Sequence, residues 1–229
     1  MWNGKKKALT FSFDDGVTQD IRLVEILNKY GLKGTFNLNS GLLGISRTLE
    51  RNGKTVDHNK IQPSQVRSLY AGHEVAVHTV SHPTLTTLSD ETILYQVEED
   101  RKALERLVGY PIVGMAYPNG PNDDRVAGII ERNTPIRYSR TVTSTFDFTP
   151  QKTNLLRYNP TVYYVQPELD ELVEKFLADD SDEDKLLYIW GHSYEMDAEF
   201  ITWEHFEAVC KKLSGHADIF YGTNKEVLL

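Results

Sequence analysis

Two histidines four residues apart, His78 and His82, are the first sign of chemistry in this sequence. In a helical turn, that spacing places both imidazoles on one face, close enough to share a metal ion. A carboxylate from the adjacent pair Asp14 and Asp15 would complete a His-His-carboxylate set, which with an open position for water is typical of catalytic zinc sites. A metal ion in such a site lowers the pKa of water, which can then attack a carbonyl carbon.

Each of these residues also has a plainer interpretation. Either histidine could be a hydrogen-bonded surface side chain, and two aspartates after a strand also suit the start of a helix. Hydrolysis at a metal, however, needs one carboxylate to bind the ion and another group to take a proton from water. Because adjacent residues at a strand end point in different directions, Asp14 and Asp15 can each do one of these tasks.

Two later segments add candidates for the same reaction. His192 follows the apolar run 186–190, where it is either a hydrogen-bonded core histidine or an acid that protonates a leaving amine or alcohol. Pro118 and Gly120 predict a turn, which could also aim a backbone N–H at a developing oxyanion.

All four polar segments directly follow predicted strands. Alternating and apolar runs predict strands at 9–13, 35–38, 74–77, 112–117, 136–139, 185–190 and 219–221. Amphipathic stretches predict helices at 20–30, 63–70, 89–108, 123–132, 168–178 and 202–213. This alternation indicates parallel strands covered by helices, in an open sheet or a barrel. The carboxyl ends of such strands converge on one face, so we expect the polar segments to meet there, with the polar segment 39–60 forming one rim.

The composition indicates one folded domain over residues 1–229. A hydrophobic fraction of 40% is ample for a buried core, which excludes a disordered chain, and the length suits an α/β barrel. The formal net charge is −8, and no basic stripe is interleaved with aromatic residues. Nucleic acid and polyanionic ligands are therefore disfavoured, whereas a neutral ligand is compatible with this charge.

The expected location is the cytoplasm. No apolar run approaches the roughly 18 residues of a transmembrane helix, and no signal-peptide core follows the basic residues 5–7. The single cysteine, Cys210, lies at helical spacing from Phe206 and Leu213, which indicates packing rather than a disulfide. A leader removed from the sequence would leave the same pattern.

The segments 12–16 and 78–83, together with the late His192, resemble the signature motifs of the polysaccharide deacetylase family, carbohydrate esterase family four. The order of the motifs and their strand context agree over residues 9–221. The resemblance implies a distorted (β/α) barrel with fewer than eight strands. We therefore expect an α/β, single-domain barrel with about seven parallel strands.

The resemblance also implies a role for each motif residue. Asp14 would be the general base and His192 the general acid. A divalent metal ion, usually Zn²⁺, would be bound by Asp15, His78 and His82. The activity implied is the metal-dependent removal of acetyl groups from an N-acetylated or O-acetylated carbohydrate.

Two motifs depart from the family pattern. The third normally reads Arg-x-Pro-Tyr, whereas residues 116–119 here read Ala-Tyr-Pro-Asn. The oxyanion N–H would carry over to Asn119, but Ala116 cannot supply the arginine that orients the base. The fourth motif, an Asp-Trp pair that supports the acid, has no counterpart.

We hypothesise that other residues fill these roles. Arg140, just past the fifth predicted strand, would supply the missing guanidinium beside Asp14, with Arg137 as the alternative. Glu195 would orient or charge-balance His192. For Arg140 and for Glu195, a surface ion pair is the plainer interpretation.

Three aromatic residues, Tyr117, Tyr194 and Trp203, are candidates for contacts with a sugar face, although each also suits the core. Two other functions stay open. One is hydrolysis of a cyclic amide or ureide, because relatives of this fold cleave such C–N bonds. The other is carbohydrate binding by an inactive relative. The complete set of motif residues favours the deacetylase.

Overall fold

A curled sheet of parallel strands occupies the centre of the structure, a computed structural model that describes residues 2–229. The strands, in chain order, are β1 (Lys7–Asp14), β2 (Gly34–Leu38), β3 (Thr48–Arg51), β4 (Lys54–Asp57), β5 (Glu74–Val77), β6 (Gly114–Ala116), β7 (Tyr138–Arg140), β8 (Val162–Tyr163), β9 (Lys185–Gly191) and β10 (Ile219–Tyr221). Strands β3 and β4 form a separate antiparallel hairpin, and the other eight form the sheet.

The helices alternate with these strands. They are α1 (Asp20–Lys29), α2 (Val66–Leu69), α3 (Asp90–Val108), α4 (Asp124–Asn133), α5 (Leu169–Ala178), α6 (Tyr194–Asp197), α7 (Trp203–Leu213) and α8 (Asn224–Leu228). Within residues 2–229, none of them combines the length and the apolar character that crossing a bilayer requires.

The strand order makes the sheet a distorted (β/α) barrel. The main path is β7-β6-β5-β2-β1-β9-β8, every neighbouring pair is parallel, and β10 pairs with the first residues of β1. The segment 158–163 links the two edges, because Tyr158 N–H donates to Ser139 O (2.8 Å) and Val162 pairs with β9. The expected fold, with about seven parallel strands, is confirmed.

Several elements differ from the sequence-based expectation, among them the short helices α6 and α8, which no pattern predicted. Strand β7 lies later than the predicted 136–139, so Arg140 is its last residue rather than a residue beyond it. Strand β8 is only two residues long and therefore has no periodicity that a sequence pattern could detect. The segment 39–60, expected as an irregular rim, contains the hairpin β3–β4.

The inner face of the barrel carries hydrogen-bonded polar side chains beside a small apolar cluster that includes Ala8 and Leu186, whereas its outer face is apolar. On the inner side of β1, Thr10 Oγ1 donates to Asn224 Oδ1 (2.9 Å), and Asn224 Nδ2 donates to Ser12 Oγ (3.2 Å). On the outer side of the same strand, the ring of Phe13 packs edge-on against Phe206 of α7. The first residue of α8 therefore closes the amino-terminal end of the barrel with hydrogen bonds.

Gly191, the last residue of β9, is required by close packing, because the ring of Tyr164 lies where a Cβ atom would be. We predict that Gly191→Ala lowers the free energy of unfolding by about 1–3 kcal/mol, since the ring must leave its position. Urea denaturation measures this difference.

Gly128→Ala is the matched control, because its Cβ in α4 would meet only the flexible end of Arg132. Its free energy of unfolding should be unchanged or higher by up to about 1 kcal/mol. A Gly191→Ala protein as stable as the parent would contradict the packing described here.

Candidate active site

A cavity of about 510 Å³ lies at the carboxyl ends of the barrel strands. Every predicted site residue except Arg140 and Trp203 lines it: Asp14, Asp15, His78, His82, Tyr117, Asn119, His192, Tyr194 and Glu195. These residues meet because the parallel strands β1, β5, β6 and β9 all end at this face.

Asp15, His78 and His82 form a compact group of metal-binding side chains. One ligand atom from each lies within 4.8 Å of the other two, and Asp15 Oδ1 is 3.5 Å from His82 Nε2. His78 Nδ1 is 2.8 Å from the carbonyl oxygen of Ala116, so Nδ1 carries the proton and Nε2 keeps the lone pair that a metal needs. Two imidazoles and a carboxylate suit Zn²⁺ and similar divalent ions, so these residues fit a metal site.

The segment from His78 to His82 is not the helical turn that its spacing suggested. Thr79 and His82 have left-handed backbone conformations, with φ of 69° and 62°, and Thr79 Oγ1 accepts a hydrogen bond from His82 N–H (3.1 Å). This tight turn brings the two ring centroids to 4.8 Å. Asp15 and Asn119 are also left-handed, with φ of 83° and 61°. Such strained conformations concentrate at functional sites.

Asp14 and Arg140 form an ion pair inside the barrel. Arg140 is fully buried and its Nη2 contacts Asp14 Oδ2, while Asn37 Nδ2 donates to Oδ1 (2.8 Å). The guanidinium carbon also lies 4.3 Å from the centroid of the Trp190 ring. Burial alone would raise the pKa of Asp14, but the surrounding charges, first that of Arg140, hold it below 3.8. The residue beside Asp14 is thus Arg140 rather than the exposed Arg137, and its part in catalysis stays a prediction.

His192 faces Asp14 across the cavity and is backed by Glu195. His192 Nε2 is 4.0 Å from Asp14 Oδ2, and Nδ1 is 3.2 Å from Glu195 Oε1, in a direction that does not make a hydrogen bond. Glu195 Oε2 accepts from the His192 N–H (3.1 Å), and Oε1 accepts from the hydroxyl of Tyr163. Burial lowers the pKa of His192 and raises the pKa of Glu195. These contacts place Glu195 where it can orient the imidazole.

A buried carboxyl group anchors the loop that carries His192. Asp20 Oδ1 accepts from Ser193 Oγ (2.6 Å), and Oδ2 accepts from Tyr70 OH (2.7 Å). Burial raises the pKa of Asp20 to about 7. The start of α1 thereby fixes the residue next to His192.

The three aromatic candidates take different positions. Tyr194 lies on the cavity wall, with its ring 5.1 Å from that of His192. Tyr117 also lines the cavity, although it is buried and its hydroxyl donates to Leu156 O (2.7 Å). Trp203 is not brought to the cavity, because at the start of α7 it packs in the core and its indole N–H donates to Asp197 (2.8 Å).

Several cavity residues were not identified from the sequence. They come from the hairpin β3–β4 and its ends, from β8, from β9 and from the loop after β7: Arg47, Leu49, Arg51, His58, Val142, Tyr163 and Trp190. The expected rim formed by segment 39–60 is present, but no motif marks its individual residues. The Tyr163 ring stacks on Trp190 with centroids 4.4 Å apart, which gives the cavity an aromatic wall.

A sequence model of a known family, described as "Polysaccharide deacetylase", matches residues 2–139. Chitin deacetylase 1 of Cryptococcus neoformans is 30% identical over 126 residues, which are 54% of this chain and 23% of that protein. Chitin deacetylase 2 of the same organism is 30% identical over 139 residues, 57% of this chain and 30% of that protein. The chain thus spans less than a third of the length of these curated relatives.

Two solved structures show the same fold at low sequence identity. One is a mutant, with restored enzymatic activity, of a CE4 family pseudoenzyme from Bacillus anthracis, with a TM-score of 0.62 and 19% identity over 98% of this chain and 68% of that one. The other is the peptidoglycan deacetylase PdaC from Bacillus subtilis, with a TM-score of 0.57 and 18% identity over 97% and 90% of the two chains. Both support the distorted barrel.

We predict that Arg140→Met lowers the free energy of unfolding by about 3–5 kcal/mol, because it leaves the Asp14 carboxylate buried without its partner. Adding Asp14→Asn removes that charge and should restore about 1–3 kcal/mol. Urea denaturation with a chelator present measures both effects without a contribution from bound metal. Strictly additive effects of the two substitutions would show that the pair is not coupled.

We predict that Asp20→Asn stabilises the protein more at pH 8 than at pH 5. The folded-state pKa of Asp20, about 7, lies above its unfolded value of 3.8, so the folded protein binds the extra proton between these values. The free energy of unfolding therefore falls as the pH rises through this range. The amide side chain in Asp20→Asn does not titrate, so it does not contribute to that fall. Unfolding free energies of both proteins at the two pH values give the comparison. A stability difference independent of pH would contradict the buried, protonated carboxyl group.

Proposed function

The chain belongs to the polysaccharide deacetylase family, and we propose that it removes acetyl groups from an acetylated carbohydrate. N-acetyl groups are the proposed substrate, with O-acetyl groups as a second class. We further propose that the reaction depends on a divalent metal ion, with Zn²⁺ preferred. One observation carries the proposal: the group Asp15, His78 and His82 lies beside Asp14 and His192 in a single cavity.

The relatives support a carbohydrate substrate. Two matched proteins are chitin deacetylases, and one matched structure is a peptidoglycan deacetylase. The cavity volume of about 510 Å³ lies within the range of sites that hold small organic ligands. A sugar unit carrying an acetyl group is a ligand of that size.

The metal would be held by one carboxylate oxygen of Asp15 and by Nε2 of His78 and of His82. When bound, a divalent ion supplies Lewis acidity, which polarises a carbonyl oxygen and lowers the pKa of water. Contacts within the chain orient the two histidine ligands. The carbonyl of Ala116 sets the tautomer of His78, and the tight turn after His78 aims His82 at the same point.

Asp14 is the proposed general base. Because Arg140 keeps the carboxylate ionised and in place, Asp14 can take a proton from the attacking water. Asn37 donates a hydrogen bond to Oδ1 of Asp14 and Arg140 donates one to Oδ2, so each oxygen keeps a second lone pair that can accept the proton. In the family pattern, an arginine at the position of Ala116 orients the base, and Arg140 would take that role here.

Asn119 and His192 would complete the reaction. The backbone N–H of Asn119 donates to no other group within residues 2–229, so it is free to stabilise the oxyanion that forms at the acetyl carbon. His192 would then protonate the departing sugar amine, while Glu195 holds the residue in place through the His192 N–H. The products are acetate and the free amine.

We predict that the zinc-loaded protein releases acetate from N-acetylated oligosaccharides, and that Asp14→Asn slows the release by about 10²–10⁴-fold, because no other group takes the proton from water. An acetate assay across chitin oligomers, peptidoglycan and an O-acetylated glycan measures this and identifies the substrate class.

His205→Ala is the control, since His205 is an exposed residue of α7 whose contact is with Asp170 rather than with the cavity. It should keep the parental rate. A zinc-loaded protein that binds these glycans but releases no acetate would contradict the proposal and favour an inactive binding relative. Full activity of Asp14→Asn would refute the assignment of the base.

A further inference from the structure

Two buried side chains that the proposed reaction does not use, His58 and Lys60, contact Asp15. Their residues are only 2% and 3% exposed, although they directly follow a surface hairpin. His58 Nε2 is 3.2 Å from Asp15 Oδ2, and Lys60 Nζ donates to the main-chain oxygen of Asp15 (2.7 Å). Charged and polar side chains are seldom buried so completely unless they are paired, so these contacts require an explanation.

The hydrogen bonds around His58 determine which ring nitrogen carries its proton. Arg47 Nε–H lies 3.0 Å from His58 Nδ1, and a guanidinium N–H can only donate. Nδ1 must therefore accept, and in the neutral imidazole the proton is then on Nε2, which faces Asp15 Oδ2. His58 thus donates a hydrogen bond to one defined oxygen of the Asp15 carboxylate.

This hydrogen bond decides which oxygen of Asp15 is left for a metal. Oδ2 is occupied by His58, whereas Oδ1 faces His82 Nε2 at 3.5 Å. Lys60 binds the main-chain oxygen of Asp15, where the backbone is left-handed, and its Nζ also lies 3.4 Å from Oδ1. The backbone and the carboxylate of Asp15 are therefore both held from the same segment.

We propose that His58 is a positioning residue of the metal site, which Arg47 fixes as the Nε2–H tautomer and which orients Asp15 so that Oδ1 is the metal ligand. The inference rests on the proposed function, because it takes Asp15, His78 and His82 as ligands. It extends the site to the hairpin β3–β4, since Arg47 directly precedes β3 and His58 directly follows β4. Docking of the hairpin and affinity for the metal are then coupled.

The direct test is the zinc dissociation constant of the full chain, measured by competition with a chromophoric chelator. Removing a side chain that orients a metal ligand typically weakens binding, so His58→Leu should raise the dissociation constant by about 10–100-fold. An unchanged dissociation constant in His58→Leu would overturn the proposal. A parent protein that binds no zinc would instead refute the proposed function, so the two failures are distinguishable.

A conservative variant separates positioning from ligation and from packing. In His58→Gln the side-chain amide can place an N–H near the position of Nε2–H. The zinc dissociation constant should therefore stay within about threefold of the parent value, well below the increase expected for His58→Leu. A loss as large as that of His58→Leu would overturn the proposal, because it would make His58 itself a ligand or a packing residue.

Two basic residues of the hairpin region give a matched pair. Arg47→Ala removes the group that fixes the tautomer and should weaken zinc binding, whereas Lys54→Ala should not, because Lys54 lies outside the cavity lining and pairs with Glu199 rather than with His58. Equal effects of the two substitutions would contradict the relay from Arg47 to Asp15.

A measurement on the unmodified protein does not depend on whether any variant folds. Nitrogen-15 NMR of the imidazoles in the metal-free protein should show His58 as the neutral Nε2–H tautomer. An Nδ1–H tautomer would overturn the proposal, because His58 could not then donate to Asp15.

Discussion

The ion pair between Asp14 and Arg140 joins two strands that are distant in the sheet. Asp14 ends β1 and Arg140 ends β7, and β2, β5 and β6 lie between them, so the two side chains can meet only because the sheet curls. Burying two charges is costly, so further hydrogen bonds must satisfy the guanidinium donors and carboxylate oxygens that the ion pair itself does not use. Asn37 donates to Asp14, and the guanidinium donates to Ser12 Oγ and Thr141 O. The curl of the sheet therefore places Arg140 where its charge keeps Asp14 ionised.

The same pair lies above a hydrogen-bonded network inside the barrel. Below it, hydrogen bonds run from Ser12 through Asn224 to Thr35 and on to Glu74, whose carboxylate also accepts from Tyr138 OH (2.9 Å). The large apolar cluster instead lies between the outer face of the sheet and the helices. Because burial of that outer layer supplies the hydrophobic stabilisation, the inside of the barrel can hold charged groups in fixed positions.

Much of the site could be predicted because strand ends are readable in the sequence. Asp14, His78 and His192 each end or follow an apolar strand, and parallel strands bring such ends together. His58 could not be predicted, since its partner Asp15 is 43 residues away and only the folded hairpin joins them. The turn after His78 has left-handed residues that the surrounding structure enforces, so a helical spacing argument fails there. The residue type alone does not show whether an aromatic side chain will face the cavity or the core. The position of Trp203 in the core could therefore not be predicted.

The central claim is that one metal ion and the residues around Asp14 act together to release acetate. Stepwise addition of Zn²⁺ to the metal-free protein, followed by the rate of acetate release from an N-acetylated oligosaccharide, tests it most directly. The account predicts a rate that rises in proportion to added zinc and levels off at one equivalent per chain. A rate already maximal without metal, or no acetate at any ratio of zinc to protein, would contradict it.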